Sequence, residues 1–253
     1  MRARIHLPVL LLVVIALLGA LWAALIRIGW QLPLTSIAGQ HGAVMVSGFF
    51  GTLICLERAV ALRRSVIYLI PLLSGLSALL LLLGLPPFIG QGGIVLAAFG
   101  LVLVSIYIYR IRSAIEIAAL GLAAVMWFAG NLLWLLGYSI VYTVPWWAGF
   151  LIITIAAERL ELSRVMMLTQ RNRLLFKIAL GLFSIGLLGS LINFDIGVRL
   201  SGLGLIALGA WLVRFDVARR TIRQKGLTRY IAACLLIGYV WLLIGGALWI
   251  VFG

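Results

Sequence analysis

The chain has 253 residues, of which 65% are hydrophobic and only 10% are charged. A composition this apolar excludes a water-soluble domain with a polar surface, so the chain must use lipid as its solvent. The formal net charge of +14 would favour nucleic-acid binding in a soluble protein. In a membrane protein the positions of the basic residues explain the charge better, and we expect no nucleic-acid partner.

Apolar segments recur along the whole chain, and each is close to the length of about 20 residues that a helix needs to cross the hydrocarbon of a bilayer. Helices satisfy their own backbone groups there, and the alternating pattern of a membrane barrel is absent. The predicted fold class is therefore all-α, a polytopic membrane helix bundle forming a single transmembrane domain over residues 1–253. The nine predicted spans cover residues 7–29, 42–62, 66–87, 88–109, 114–138, 147–166, 174–193, 195–215 and 228–252.

The basic residues predict the orientation of these spans. If the N-terminus is cytoplasmic, only Arg27 and Arg199 fall on the outer side, and Arg58 and Arg159 lie within spans. This asymmetry predicts a multi-pass protein of the cell (plasma) membrane with its N-terminus inside and its C-terminus outside. The predicted inner residues are Arg2, Arg4, Arg63, Arg64, Arg110, Arg112, Arg164, Arg171, Arg173, Lys177, Arg214, Arg219, Arg220, Arg223, Lys225 and Arg229.

The connections follow in chain order. Residues 30–40 form an outer loop or a short interfacial piece, and the third and fourth spans turn outside at the Pro86-Pro87 pair. Residues 139–147 are a predicted loop before the sixth span, and the basic segment 219–229 is expected to contact lipid headgroups. Glycines should allow close packing of the fourth span, and aromatic side chains should form an outer interfacial belt. The glycines are Gly90, Gly92 and Gly93. The aromatic residues of the belt are Trp30, Tyr138, Tyr142, Trp146 and Trp147.

An internal repeat connects the second and sixth spans. GFFGTLICLERAVALRR from Gly48 aligns without gaps with GFLIITIAAERLELSRV from Gly149, at an offset of 101 residues. The copies are an even number of spans apart, so they point the same way through the membrane. We predict a parallel repeat of four helices, with repeat one over 7–109, repeat two over 114–215 and an extra helix over 228–252.

The repeat places two Glu-Arg pairs within spans. A charge at mid-membrane costs about 2.5–3.5 kcal/mol on insertion scales, so each is expected to find a partner. We predict a crossed arrangement in which Glu57 meets Arg159 and Arg58 meets Glu158, with Glu161 nearby. The arrangement could fasten the helices or line an inner proton or ion path.

His41 opens the second span, followed by glycines and phenylalanines, including Phe49, that could line a flat apolar ligand. Histidine is a common haem ligand, and Gly42 beside it would let a macrocycle approach. Met45 lies one turn further on the same face, so it cannot be the opposite axial ligand on one haem, although both side chains could bind one copper ion. A hydrogen-bonded interfacial histidine is the alternative.

The run from His41 to Met45, with glycine and phenylalanine after it, resembles the second helix of the catalytic subunit of haem-copper oxidases, where that histidine binds the low-spin haem. It is also similar to the H-x-x-x-M-x-x-G-F pattern of the NnrS family, here His41, Met45, Gly48 and Phe49. Both families are built of parallel four-helix repeats. The resemblance implies a haem or copper site at His41 and a function in redox chemistry or nitric oxide handling.

The chain departs from the oxidases in its histidines. His6 is the only other histidine, and it lies at the inner end of the first predicted span, across the membrane from His41. The repeat places Tyr142 and Trp146 where His41 and Met45 stand. These departures exclude an oxygen-reducing haem-copper centre. One haem with a single histidine, one haem shared by two subunits, or no metal at all remain open.

Two further classes of function need no cofactor. In a small transporter or channel, the Glu-Arg pairs would line a path between the repeats. In a scaffold subunit of a larger membrane complex, glycine faces such as Gly202, Gly204 and Gly209 would be covered by a partner. The expected partners are the lipid bilayer and either further copies of the chain or the rest of a complex.

Overall fold

The computed structural model describes residues 3–163 and 169–253, with side chains described from His6 onward. All regular elements within these ranges are helical. Arg164, and with it the last residues predicted for the sixth span, lies outside the described residues, as does Arg2.

The helices succeed one another with short connections. They are α1 (Ala3–Arg27), a 3₁₀ helix (Thr35–Gln40), α2 (His41–Ala43), a π-helix (Val44–Gly51), α3 (Thr52–Leu62), a 3₁₀ helix (Ser65–Tyr68), α4 (Leu69–Leu82), α5 (Pro87–Ile111), α6 (Ile115–Leu135), α7 (Ile140–Leu162), α8 (Gln170–Gly189), α9 (Phe194–Phe215), α10 (Ala218–Thr221) and α11 (Leu227–Phe252).

Nine helical segments among the described residues are long and apolar enough to cross a membrane. They overlap the nine predicted spans. Many large apolar side chains on them are exposed, for example Leu96 and Trp241, as expected of surfaces that contact lipid rather than water. The chain is therefore an integral membrane protein of helical class, in contact with the bilayer.

One predicted boundary is wrong. The segment 140–147 is the start of α7 rather than a loop. Pro145 suggested a loop because proline cannot donate a backbone hydrogen bond. Pro145 is the sixth residue of α7, so little more than the first turn precedes it, and its missing N–H removes a single backbone hydrogen bond without ending the helix.

The described chain forms two compact units. The first contains Met1–Arg112 and Ala124–Trp147, and the second contains Ser113–Ala123 and Ala148–Gly253. The boundaries of the predicted repeats do not coincide with these units, because the second half of α6 and the start of α7 belong to the first unit.

In the first unit, α4 and α5 pack as a tight hairpin that turns at Gly84, whose φ is +71°. Gly93 faces the Ser77 hydroxyl so closely that no Cβ would fit, and a Cβ on Gly90 would lie 2.6 Å from Leu81 Cγ. The predicted close approach is therefore made by these two glycines. Gly92 does not take part, since a Cβ there would meet nothing within 4 Å.

In the second unit, α9 packs between α8 and α11 through small residues. Gly204 lies against the Phe183 backbone of α8, and a Cβ on Gly202 would lie 2.6 Å from the Gly246 carbonyl oxygen of α11. A Cβ on Gly209 would lie 3.0 Å from Leu243 of α11. The glycines that the scaffold hypothesis left for a partner are thus covered by this chain's own helices, because only glycine lets two helix backbones approach this closely.

Candidate functional site at the start of the second span

The second span is a composite helix in which four segments follow one another from Thr35 to Leu62. It is entered through Leu34, whose φ of +67° lies in the left-handed region that side chains other than glycine rarely adopt. The π-helix Val44–Gly51 covers the residues that follow His41. Segments of this kind are rare and occur frequently at functional sites. The part of α7 that aligns with the second span in sequence is ordinary α-helix, so the π-segment is not shared by that part of α7.

Packing and a hydrogen bond support the π-segment. Gly48 lies between α1 and α4, where a Cβ would be 3.3 Å from Ala16 Cβ and 2.6 Å from Ala78 Cβ. The Ser74 hydroxyl donates to the Ser47 carbonyl oxygen at 2.9 Å. Gly48 therefore has a packing role here.

The His41 ring is held by the backbone of α1. Its Nδ1 lies 2.8 Å from the Ala20 carbonyl oxygen. A carbonyl only accepts, so Nδ1 carries the proton in this contact. In the neutral ring this leaves Nε2 with its lone pair, which is how a metal-binding histidine is commonly oriented.

The other predicted ligand-contact residues lie on the same composite helix. Gly42, Met45 and Phe49 are half-buried, as is His41. Phe49 packs against Phe50 with ring centroids 4.7 Å apart. A Cβ on Gly42 would lie 3.7 Å from Trp147 Cζ3. Gly42 therefore faces an indole at ordinary contact distance.

Several buried polar atoms near this end of the span have no hydrogen-bond partner among the described residues. They are Gln40 Oε1, Trp146 Nε1 and Trp147 Nε1. Trp146 and Trp147 are 2% and 1% exposed, whereas Trp30 is 58% exposed. The prediction that Trp146 and Trp147 belong to an interfacial belt is therefore wrong, because both indoles pack inside the unit, with Trp147 edge-on to Trp134. Unpaired buried N–H groups are unusual, and each could donate to a bound ligand.

A second polar cluster lies deeper in the same unit. Ser47 Oγ donates to Asn131 Oδ1 at 3.0 Å and accepts from Trp127 Nε1 at 3.0 Å. Asn131 Nδ2 donates to the Trp127 carbonyl oxygen at 2.7 Å. Asn131 thus hydrogen-bonds between helices, and these hydrogen bonds connect the π-segment to α6.

The structure shows an ion pair for one member of the two predicted Glu-Arg pairs, Arg159. Arg159 Nε lies 3.1 Å from Asp216 Oδ2, and the Tyr239 hydroxyl donates to the same carboxylate oxygen. Asp216 is fully buried. Among the remaining members of the predicted arrangement, Glu57 is exposed, and Arg58, Glu158 and Glu161 are half-buried. The crossed pairing of Glu57 with Arg159 and of Arg58 with Glu158 stays a prediction.

The sequence did not single out Asp216, because this residue directly follows the eighth predicted span. A charged residue is common at the end of a membrane span. Asp216 is one of only six acidic residues in the chain. That scarcity was the available signal, since a membrane protein with few carboxylates tends to use each against a nearby cation.

Arg199, one of the two basic residues predicted outside, has a structural role. It pairs with Asp195 at 2.9 Å and donates from Nη1 to the carbonyl oxygens of Ile250 and Val251 at 2.6 and 3.2 Å. These carbonyls end α11 and have no partner within the helix. The guanidinium thus caps α11 at its negative end.

Among the described residues, no group of three or more His, Cys, Asp or Glu side chains could hold a metal ion. Comparison with curated proteins and with solved structures gave no match. A family model described as "Domain of unknown function (DUF8744)" matches residues 5–253. Since this match covers nearly the whole chain, the protein belongs to the DUF8744 family.

Proposed function

We propose that this membrane protein binds haem through His41 and serves redox chemistry or nitric oxide handling. The observation that carries the proposal is the contact between His41 Nδ1 and the Ala20 carbonyl oxygen at 2.8 Å. It fixes the tautomer and orientation in which Nε2 can bind iron. The resemblance of the His41 segment to the NnrS family and the haem-copper oxidases supports the same assignment.

The chemistry of the His41 side chain supports haem over copper. Its single imidazole suffices as a protein ligand to haem iron, whereas a bare copper ion would need further ligands beside Met45. Bound there, haem would supply one-electron transfer or binding of a diatomic gas, and the π-segment would hold His41 and Phe49 in place.

The test is an absorption spectrum of the purified protein, oxidised and dithionite-reduced, with iron and copper measured on the same sample. His41→Ala is expected to lose the Soret band, and the matched control His6→Ala is expected to keep it. His6 lies on α1 about 21 Å before Ala20 at about 1.5 Å per residue, too far to serve the same site. One haem per two chains would indicate a haem shared through His41 of each copy.

A colourless wild-type protein with neither iron nor copper would refute the proposal. If the wild-type protein shows no Soret band but contains copper, and that copper is lost in His41→Ala and in Met45→Ala, the bound group would be copper rather than haem. A Soret band that survives in His41→Ala would refute His41 as the ligand.

We further propose the N-inside, C-outside orientation in the plasma membrane and the parallel four-helix repeat. The distribution of basic residues and the gapless alignment of the two Glu-Arg segments support them. Epitope tags placed at each terminus test the orientation. In intact cells an antibody should reach the C-terminal tag and not the N-terminal one.

Transport along the Glu-Arg pairs is the alternative function. The ion pair between Arg159 and the buried Asp216 favours a fastening role for Arg159, since its charge is already neutralised. Solute flux that changes in Glu57→Gln or Glu158→Gln, in a protein without haem, would favour transport instead.

A further inference from the structure

An apolar groove runs along the second unit between α7 and α11. Its volume is about 420 Å³, within the range of about 300–1,000 Å³ typical of ligand sites. Ile152 and Ile155 of α7 form one side, and Cys234, Gly238 and Tyr239 of α11 form the other. Ile155, Cys234 and Gly238 are exposed. The groove therefore opens on the surface of membrane-spanning helices, where its neighbour is lipid.

The floor of the groove is preformed and offers little polarity to a ligand. Tyr239 is 2% exposed, and its hydroxyl is engaged by Asp216. Asp216 is in turn paired with Arg159. A molecule in the groove would therefore be recognised by apolar contacts alone, as a hydrocarbon chain is.

One end of the groove meets a cluster of positive charge. The basic segment 219–229 carries five cations, all exposed: Arg219, Arg220, Arg223, Lys225 and Arg229. Tyr230, which lines the groove, follows Arg229 directly. Cys234, one turn further along α11, lines the same groove. An apolar channel thus continues into a positively charged surface.

We propose that this site binds an anionic phospholipid, with one acyl chain in the groove and the headgroup on the basic segment 219–229. The groove matches the apolar chain, and the cations match an acidic headgroup, each worth a substantial attraction at a membrane surface. A second copy of the chain fits less well. A two-fold contact through this groove would bring both basic segments together at the same membrane face, where like charges repel. The proposal does not depend on haem binding.

Gly238 provides a variant that fills the groove without disturbing the fold. A Cβ on Gly238 meets nothing within 4 Å, and the same holds for Gly181 of α8, which lies away from the groove. Leucine is the better helix former at both positions. Gly238→Leu should therefore occupy the site, and Gly181→Leu is its matched control.

The measurement is native mass spectrometry of the purified full chain titrated with phosphatidylglycerol or with phosphatidylcholine. Wild-type protein is expected to bind one phosphatidylglycerol more tightly than phosphatidylcholine. Gly238→Leu should weaken the phosphatidylglycerol by about tenfold, the equivalent of one buried apolar side chain, and Gly181→Leu should not. The double variant Lys225→Gln/Arg229→Gln should weaken it roughly thirtyfold, and the control Arg171→Gln/Arg173→Gln should not.

Three results would overturn the proposal. Equal affinity for both lipids, unchanged in Lys225→Gln/Arg229→Gln, would remove the role of the headgroup. Tight binding retained in Gly238→Leu would remove the groove as the acyl site. A Cys234–Cys234 disulfide that forms on oxidation in the bilayer and is prevented by Gly238→Leu would assign the groove to a second copy.

Discussion

Replacing Asp216 by alanine tests whether the buried contacts of Arg159 fasten the second unit. Asp216 is fully buried and accepts from both the Arg159 guanidinium and the Tyr239 hydroxyl. Asp216→Ala leaves a guanidinium, whose side chain is only 15% exposed, without its carboxylate. Breaking one partner from a buried pair costs about 3–5 kcal/mol. For a chain of this size that corresponds to a melting temperature lowered by roughly 6–20 °C.

The assay is thermal unfolding of the purified protein in one detergent, followed by circular dichroism. Asp195→Ala is the matched control, because Asp195 pairs with Arg199 at 2.9 Å but with side chains 59% and 42% exposed. Solvent screens such a pair, so the melting temperature should change much less. Tyr239→Phe removes only a hydrogen bond and should cost about 0.5–1.5 kcal/mol.

The double variant Arg159→Leu/Asp216→Leu completes the test. It removes both charges instead of leaving one unpaired, so it should be more stable than Asp216→Ala. The reasoning is refuted if Asp216→Ala and Asp195→Ala lower the melting temperature equally. It is also refuted if the double variant is the least stable of all, because burial of an unpaired charge would then not be the cause.

Three further predictions concern packing and capping. Ser47→Ala should lower stability by about 1–3 kcal/mol, because it removes the hydroxyl that donates to Asn131 Oδ1 and accepts from Trp127 Nε1; an unchanged melting temperature would contradict this. Gly202→Ala should separate α9 from α11 and lower the melting temperature, whereas Gly181→Ala, with open space around it, should not; equal effects of the two would show that close helix approach is not needed. Arg199→Gln should speed amide hydrogen exchange in the last turn of α11 selectively, and uniform exchange along the helix would show that no cap was lost.

Much of the fold could be predicted from the sequence because the membrane imposes local rules. A spanning helix needs about 20 apolar residues, so each span is visible in its own stretch of chain. The nine segments of suitable length and hydropathy overlap the predicted spans, and the error at 140–147 arose from reading Pro145 as a loop signal. His41 and Asn131 were likewise recognisable as polar residues in apolar surroundings.

The partners of those residues were not visible in the sequence. The Ala20 carbonyl that orients His41, the Asp216 that pairs with Arg159 57 positions earlier, and the burial of Trp146 and Trp147 all depend on helices distant in sequence. The π-segment also depends on tertiary packing, since its own glycine contacts other helices and a serine hydroxyl from another helix donates a hydrogen bond to it. The solvent of each segment is encoded locally, in its length and apolar content. Pairing of charges and hydrogen bonds is decided only when helices pack, because it depends on which faces meet.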